Sequence, residues 1–188
     1  MRKEYRTLLK NTGLFAVGGF ASSLLGMLFI PLYTAVLTPE EYGISDLITT
    51  AITLLLPFAT VALADAVLRF AHDGAQQRRT VYSSAIYIFL AGFLAVLALS
   101  PLIRKTTIGP YLSYFLVYYA VYCLHNLTAS FVKGMGRVQL YSICGLLQTG
   151  VFIACNLLFL LVFEWGLRGY LLATIYSCAT STVVLFFG

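Results

Sequence analysis

PLYTAVLTPEEYGISDLITTAITLLLPFATVALADAVLRF, residues Pro31 to Phe70, holds the end of one apolar run, a short acidic turn over Thr38–Gly43, and a second apolar run with Pro57 near its middle. The second run closes on Asp65 and Arg69, one helical turn apart. A proline and an i, i+4 charge pair make a poor lipid-facing helix, because hydrocarbon satisfies neither a freed carbonyl nor a charge. The segment makes sense when one side of it faces protein or a water-filled cavity. The rest of the chain reads as further helices built around that space.

Composition sets the class. Of 188 residues, 60% are hydrophobic and 10% charged, and the mean hydropathy is +0.89. Soluble domains carry about 25% charged residues, so this chain has too little polar surface to show water. It is an all-α, polytopic integral membrane protein. The net charge is +5. The basic residues sit in short loops between apolar runs, which fits positive-inside topology and gives no reason to invoke nucleic acid. Cys123, Cys144, Cys155 and Cys178 all fall within apolar runs and form no C-x-x-C pair. They read as small buried residues, not as disulfides or metal ligands. The basic start, Met1-Arg2-Lys3, precedes an apolar run too long for a signal-peptide core, and further membrane segments follow it.

Crossing about 30 Å of hydrocarbon takes roughly 20 apolar residues as helix. Six runs qualify: Thr12–Leu37, Ile44–Ala71, Val81–Ile103, Tyr111–Val132, Tyr141–Phe163 and Leu167–Phe187. Short loops make consecutive helices antiparallel neighbours. A cytoplasmic N-terminus puts Arg2, Lys3, Arg6, Lys10, Arg78, Arg79, Lys133 and Arg137 inside, against Arg104, Lys105 and Arg168 outside. That excess sets the orientation, with Arg104-Lys105 dissenting. Residues 1–188 are expected to form one transmembrane lobe. The absence of a basic flank after the sixth run reads as a truncation, or as a module whose second part is absent.

In the first run, Gly18, Ser22 and Gly26 share a face at a spacing that lets another helix approach closely. Asn11 suits the cap of this helix, and Pro31 permits a bend near its outer end. In the second run, Asp46, Thr50, Thr53, Pro57 and Thr60 fall in one narrow arc at about 100° per residue. Two readings stand together. The threonines satisfy backbone groups freed by the proline, and the stripe lines a cavity with Pro57 as hinge. Asp65 and Arg69 lie on another side. They are either an interfacial salt bridge or a charge facing a cavity on the cytoplasmic side, suited to an anionic head group.

The third run carries no functional signal. In the fourth, Tyr111, Tyr114, Tyr118, Tyr122 and His125 share a face, with Asn126 close by. Such a face is either packed aromatic interior or a surface of rings and hydroxyls for a sugar or head group. His125 is either simply hydrogen-bonded or able to join proton coupling. Asn126-Leu127-Thr128 matches a glycosylation sequon but lies within the span. The fifth run gathers Tyr141, Cys144, Gln148, Phe152 and Cys155 beside Asn156, and the sixth gathers Tyr170, Thr174, Ser177 and Ser181; both read as packing faces. No Walker motif, nucleophile elbow or metal-ligand spacing occurs, and the two histidines, His72 and His125, stand apart. The expectation is a carrier without cofactor or metal, not an enzyme.

Asn11-Thr12 before a Gly- and Ser-rich first run, Ile30-Pro31-Leu32-Tyr33-Thr34, Leu37-Thr38-Pro39-Glu40-Glu41-Tyr42-Gly43, Val67-Leu68-Arg69-Phe70, and Lys133-Gly134-Met135-Gly136-Arg137 before Tyr141-Ser142 form a pattern. It resembles the N-terminal half of polysaccharide biosynthesis (Wzx-type) oligosaccharide flippases, in the multidrug/oligosaccharidyl-lipid/polysaccharide exporter superfamily. The resemblance spans nearly the whole chain. It implies one lobe of a two-lobe exporter fold around a central cavity, in the bacterial inner membrane, alternating between inward- and outward-open states. The implied cargo is an undecaprenyl-diphosphate-linked oligosaccharide. Implied partners are membrane lipids, a second six-helix lobe and a possible coupling ion. Arg69 is the best match for the family's diphosphate-attracting cations; Asp65, Tyr118, Tyr122, His125 and Asn126 complete the candidate substrate contacts. The alternatives are a drug or cation exporter of the same superfamily, with Asp46 or Asp65 as ion site, and a non-transporting scaffold of a polysaccharide-assembly complex.

Overall fold

The computed structural model describes residue 27 and residues 30–60 and 75–188. Asn11, the Gly18/Ser22/Gly26 stripe, Asp65 and Arg69 lie outside the described residues. Within them the chain is helical, without strand. We label α1 (residues 30–36), α2 (Pro39–Thr60), α3 (Ala75–Ala98), α4 (Leu112–Gly134), α5 (Val138–Asn156) and α6 (Gly166–Phe187). A helical turn at Ser100–Ile103 and a 3₁₀ turn at Gly109–Tyr111 join α3 to α4, and a π-helical segment, Leu157–Val162, extends α5.

The acidic stretch read as a turn is the first part of α2. Thr38 is its N-cap: the Thr38 N–H donates to Glu41 Oε2 (3.0 Å) and the Glu41 N–H donates to Thr38 Oγ1 (3.2 Å). This reciprocal pair satisfies two donors that have no intrahelical partner, and Pro39 at the first helical position loses nothing by lacking an N–H. The third helix likewise starts earlier than its apolar run, at Ala75. Gln76, Gln77, Arg78 and Arg79 are good helix formers. Hydropathy marks what hydrocarbon tolerates, whereas propensity and capping decide where the helix starts. Pro57 stands inside α2. Pro31 begins a described turn where the Thr34 hydroxyl donates to the carbonyls of Ile30 (3.1 Å) and Pro31 (3.0 Å).

Three described stretches are long and apolar enough to cross a membrane: Gly109–Gly134, Val138–Val162 and Gly166–Phe187; Tyr82–Ala98 is a shorter apolar helix. The chain is thus a multi-pass helical membrane protein. Exposed Ile143, Leu146, Leu157, Leu161 and Val162 cover one side of α5 and its extension, while Tyr87, Leu90 and Leu94 cover one side of α3. An apolar surface of that extent suits acyl chains.

The core sits opposite. Ile44, Ile48 and Ile52 form the buried face of α2 and meet Phe89 of α3, Phe115 and Tyr119 of α4, and Leu167 and Leu171 of α6. Lipid offers no hydrophobic drive for helix association, so closeness of approach matters. On α6, Gly169, Ala173, Ser177 and Ser181 are all buried at four-residue spacing. A Cβ added at Gly169 would sit 3.1 Å from the Cβ and carbonyl oxygen of Phe159, and Ser181 Oγ donates to the Cys144 carbonyl across the α5–α6 contact (3.3 Å). Cys123, Cys144 and Cys178 are buried and Cys155 half-buried, all as free thiols.

Candidate functional site

The tyrosine face of α4 meets α6. Cys178 Sγ lies 3.9 Å from the Val121 carbonyl, and His125 Nδ1 lies 3.3 Å from Thr182 Oγ1. Advancing along one helix advances along the other, so α4 and α6 run parallel. Tyr118 is buried and packs edge-on against Tyr122 (centroids 5.8 Å apart); Tyr122, His125 and Asn126 are half-buried. The seam is therefore packed along much of its length.

The hydrogen bonding at His125 favours one tautomer. Thr182 Oγ1 donates its one proton to the Cys178 carbonyl (2.8 Å). It can then only accept from the imidazole, so Nδ1 carries the proton and Nε2 is the acceptor. A proton arriving at this histidine has one nitrogen to bind.

Toward the other end of the seam, Tyr170 of α6 gathers neighbours from three helices. Its ring packs edge-on against Tyr33 of α1 (5.1 Å) and Phe152 of α5 (6.2 Å). Tyr42 and Asp46 of α2 lie within electrostatic reach of its phenol. Asp46 belongs to the stripe noted in the sequence. Asp46, Thr50, Thr53 and Pro57 are all exposed, on the side of α2 opposite the Ile44/Ile48/Ile52 face. Thr53 Oγ1 donates to the carbonyls of Thr49 (3.1 Å) and Thr50 (2.9 Å), one turn before the proline. The carbonyl that Pro57 leaves without an N–H donor is that of Thr53 itself, so this hydroxyl does not satisfy it, and the face it sits on is open.

At the end holding the α4–α5 turn, a pocket of about 510 Å³ is lined by Tyr82, Thr128, Phe131, Met135, Arg137 and Leu185, among others. Tyr82 OH and Thr128 Oγ1 are 3.3 Å apart, and Thr128 Oγ1 also lies 2.8 Å from the Leu124 carbonyl, to which it donates. Sequence reasoning missed this pocket and missed Thr182. The signal for Thr182 was present: Thr174, Cys178 and Thr182 repeat every fourth residue, matching Tyr118, Tyr122 and His125. Among the described residues no group of three or more His, Cys, Asp or Glu is placed to hold a metal ion.

Apolar spanning helices, an open face on α2 that carries Asp46, Thr50 and Thr53 beside exposed Leu47 and Leu54, and a tyrosine–histidine seam define an integral membrane protein with polar groups inside its span. A family model, polysaccharide biosynthesis protein, matches residues 8–188. The chain belongs to that family. No curated protein and no solved structure matches it significantly.

Proposed function

We propose that this chain forms one lobe of a transporter that carries an undecaprenyl-diphosphate-linked oligosaccharide from the inner to the outer leaflet of the bacterial inner membrane. The observation that carries the reading is the open stripe Asp46, Thr50, Thr53 and Pro57 on α2. A carboxylate facing hydrocarbon costs about 2.5–3.5 kcal/mol even on insertion scales, and the exposure of Asp46 on this side supports a reading in which the side borders a water-filled path. Membership of a polysaccharide biosynthesis family supports a glycan-bearing cargo for such a path. Alternating access requires a second lobe to complete the wall.

Arg69 is assigned to the diphosphate, from its place in the Val67-Leu68-Arg69-Phe70 motif, and Asp65 accompanies it. The half-buried edge of the α4 seam, Tyr122, His125 and Asn126 with Tyr118 behind them, is assigned to sugar. The N-terminus is cytoplasmic in this reading, which places Lys133 and Arg137 inside and Glu40, Glu41 and Arg168 outside. The deciding experiment is complementation of a flippase-deficient bacterium by the full-length protein, reading surface polysaccharide and the lipid-linked precursor left at the inner leaflet. Restoration is expected, with most of it lost in Arg69→Ala. Full transport by Arg69→Ala removes that residue from the mechanism.

A second reading, a cation-coupled drug exporter, draws on the exposure of Asp46, an acid on the open stripe. Drug efflux with no effect on surface polysaccharide would select it.

A further inference from the structure

The first turn of α6 builds a second feature, away from the stripe and the His125 region. Glu164 and Gly166 both adopt left-handed backbone (φ 53° each). Only glycine takes that conformation without cost; at Glu164 the backbone is strained. The two residues turn the chain sharply, and Trp165 lies between them. Its N–H donates to the Phe159 carbonyl (3.0 Å), and its ring stacks near those of Phe159 (5.3 Å) and Phe163 (5.0 Å). The indole is thereby held beside Arg168 and Leu172. With Tyr114 of α4 they line a pocket of about 490 Å³.

We propose that this pocket seats the head group of an anionic glycerophospholipid. The pocket lies at the starts of the two spans Gly109–Gly134 and Gly166–Phe187, where hydrocarbon gives way to head groups. Trp and Tyr favour that level. Arg168 is exposed and forms no ion pair with a described residue. Among the acids at this end, one Glu41 oxygen holds Thr38 while the other lies against Gly166, Glu40 and Glu164 are exposed, and none forms an ion pair with Arg168. A planar guanidinium matches phosphate oxygens two at a time. Leu172, one turn further into the span, meets the apolar start of the lipid, and Tyr114 supplies a hydroxyl. A neutral sugar would use the rings but leave the guanidinium without a partner. This inference needs only the membrane location and stands apart from the transport reading.

Trp165 is the single tryptophan in the chain, so its fluorescence reports on this pocket alone. The purified full chain is reconstituted in phosphatidylcholine vesicles carrying a small share of brominated lipid, either phosphatidylglycerol or phosphatidylcholine. Brominated phosphatidylglycerol is expected to quench with about fivefold higher apparent affinity, the ratio that about 1 kcal/mol for one cation at an anionic surface gives. Arg168→Gln is expected to bring the two lipids level, while Arg168→Lys keeps most of the preference. Equal quenching of the unaltered protein by both lipids overturns the proposal. So does a preference that survives Arg168→Gln, or quenching abolished by a soluble neutral oligosaccharide, which would assign the pocket to sugar. Should Arg168→Gln fail to fold, the unaltered protein and Arg168→Lys still decide.

Discussion

His125 Nδ1 and Thr182 Oγ1 are 3.3 Å apart, and the hydroxyl proton of Thr182 already belongs to the Cys178 carbonyl. The imidazole therefore donates through Nδ1, and its second nitrogen is the basic one. Long-range nitrogen–proton NMR of the purified protein is expected to show the Nδ1–H tautomer at pH above the histidine range. Thr182→Val removes the acceptor and frees the ring to exchange tautomers, whereas Thr182→Ser retains the single form. A single Nδ1–H form persisting in Thr182→Val contradicts this account.

The open face of α2 makes a second prediction. In a background with the four native cysteines replaced, cysteines at Thr50 and Thr53 are expected to react with a membrane-impermeant thiol reagent. Cysteines at Leu146 of α5 and Leu157 of its extension, also exposed in the fold, are expected to stay unlabelled, because acyl chains cover them. Equal labelling of both sets, or of neither, removes the argument for a water-filled path.

Gly169 is held under Phe159 at 3.1 Å from any added Cβ. Gly169→Ala forces α5 and α6 apart by a few tenths of an ångström, and Gly169→Val forces a larger displacement. Overpacking of this kind costs about 1–3 kcal/mol. Thermal unfolding in detergent is expected to fall in the order glycine, alanine, valine. No change with valine would mean that the helices do not meet at this position.

The start of α2 is held by the Thr38–Glu41 pair. Thr38→Ala is expected to destabilise the protein by about 1 kcal/mol, and Thr38→Ser by much less. Hydrogen exchange at the amide of Glu41 reports the same loss locally, since that N–H gives up its acceptor. Unchanged exchange in Thr38→Ala contradicts the capping role.

The membrane character of the chain was legible in composition because burial in lipid is a property of whole segments. The α4 face was legible too, since Tyr118, Tyr122 and His125 follow the helical period. What that face would touch was not. Periodicity fixes which residues of α6 share a side, but tertiary packing decides which side turns to α4. Thus Ser177 and Ser181 were correctly grouped as a packing face while Thr182, one residue on, became the partner of His125. The beginning of α2 was misread as a turn because glycine, proline and acids mark turns and helix starts alike. The Trp165–Arg168 pocket lay beyond reach for another reason: it depends on left-handed backbone at Glu164, a residue whose type gives no sign of it.

The shared direction of α4 and α6 has an electrical consequence. Antiparallel neighbours cancel their peptide dipoles, but a parallel pair adds them, which brings two carbonyl-rich ends, each worth about half a negative charge, to the same membrane face. Lys133 occupies the last turn of α4 and lies 4.5 Å above the Tyr141 ring, and Arg137 Nη1 donates to the Gly188 carbonyl (2.7 Å). Lys133 is thereby engaged with an aromatic face and Arg137 with a carbonyl. On the transport reading proposed above, an anionic cargo at that face would rely on a cation besides this pair.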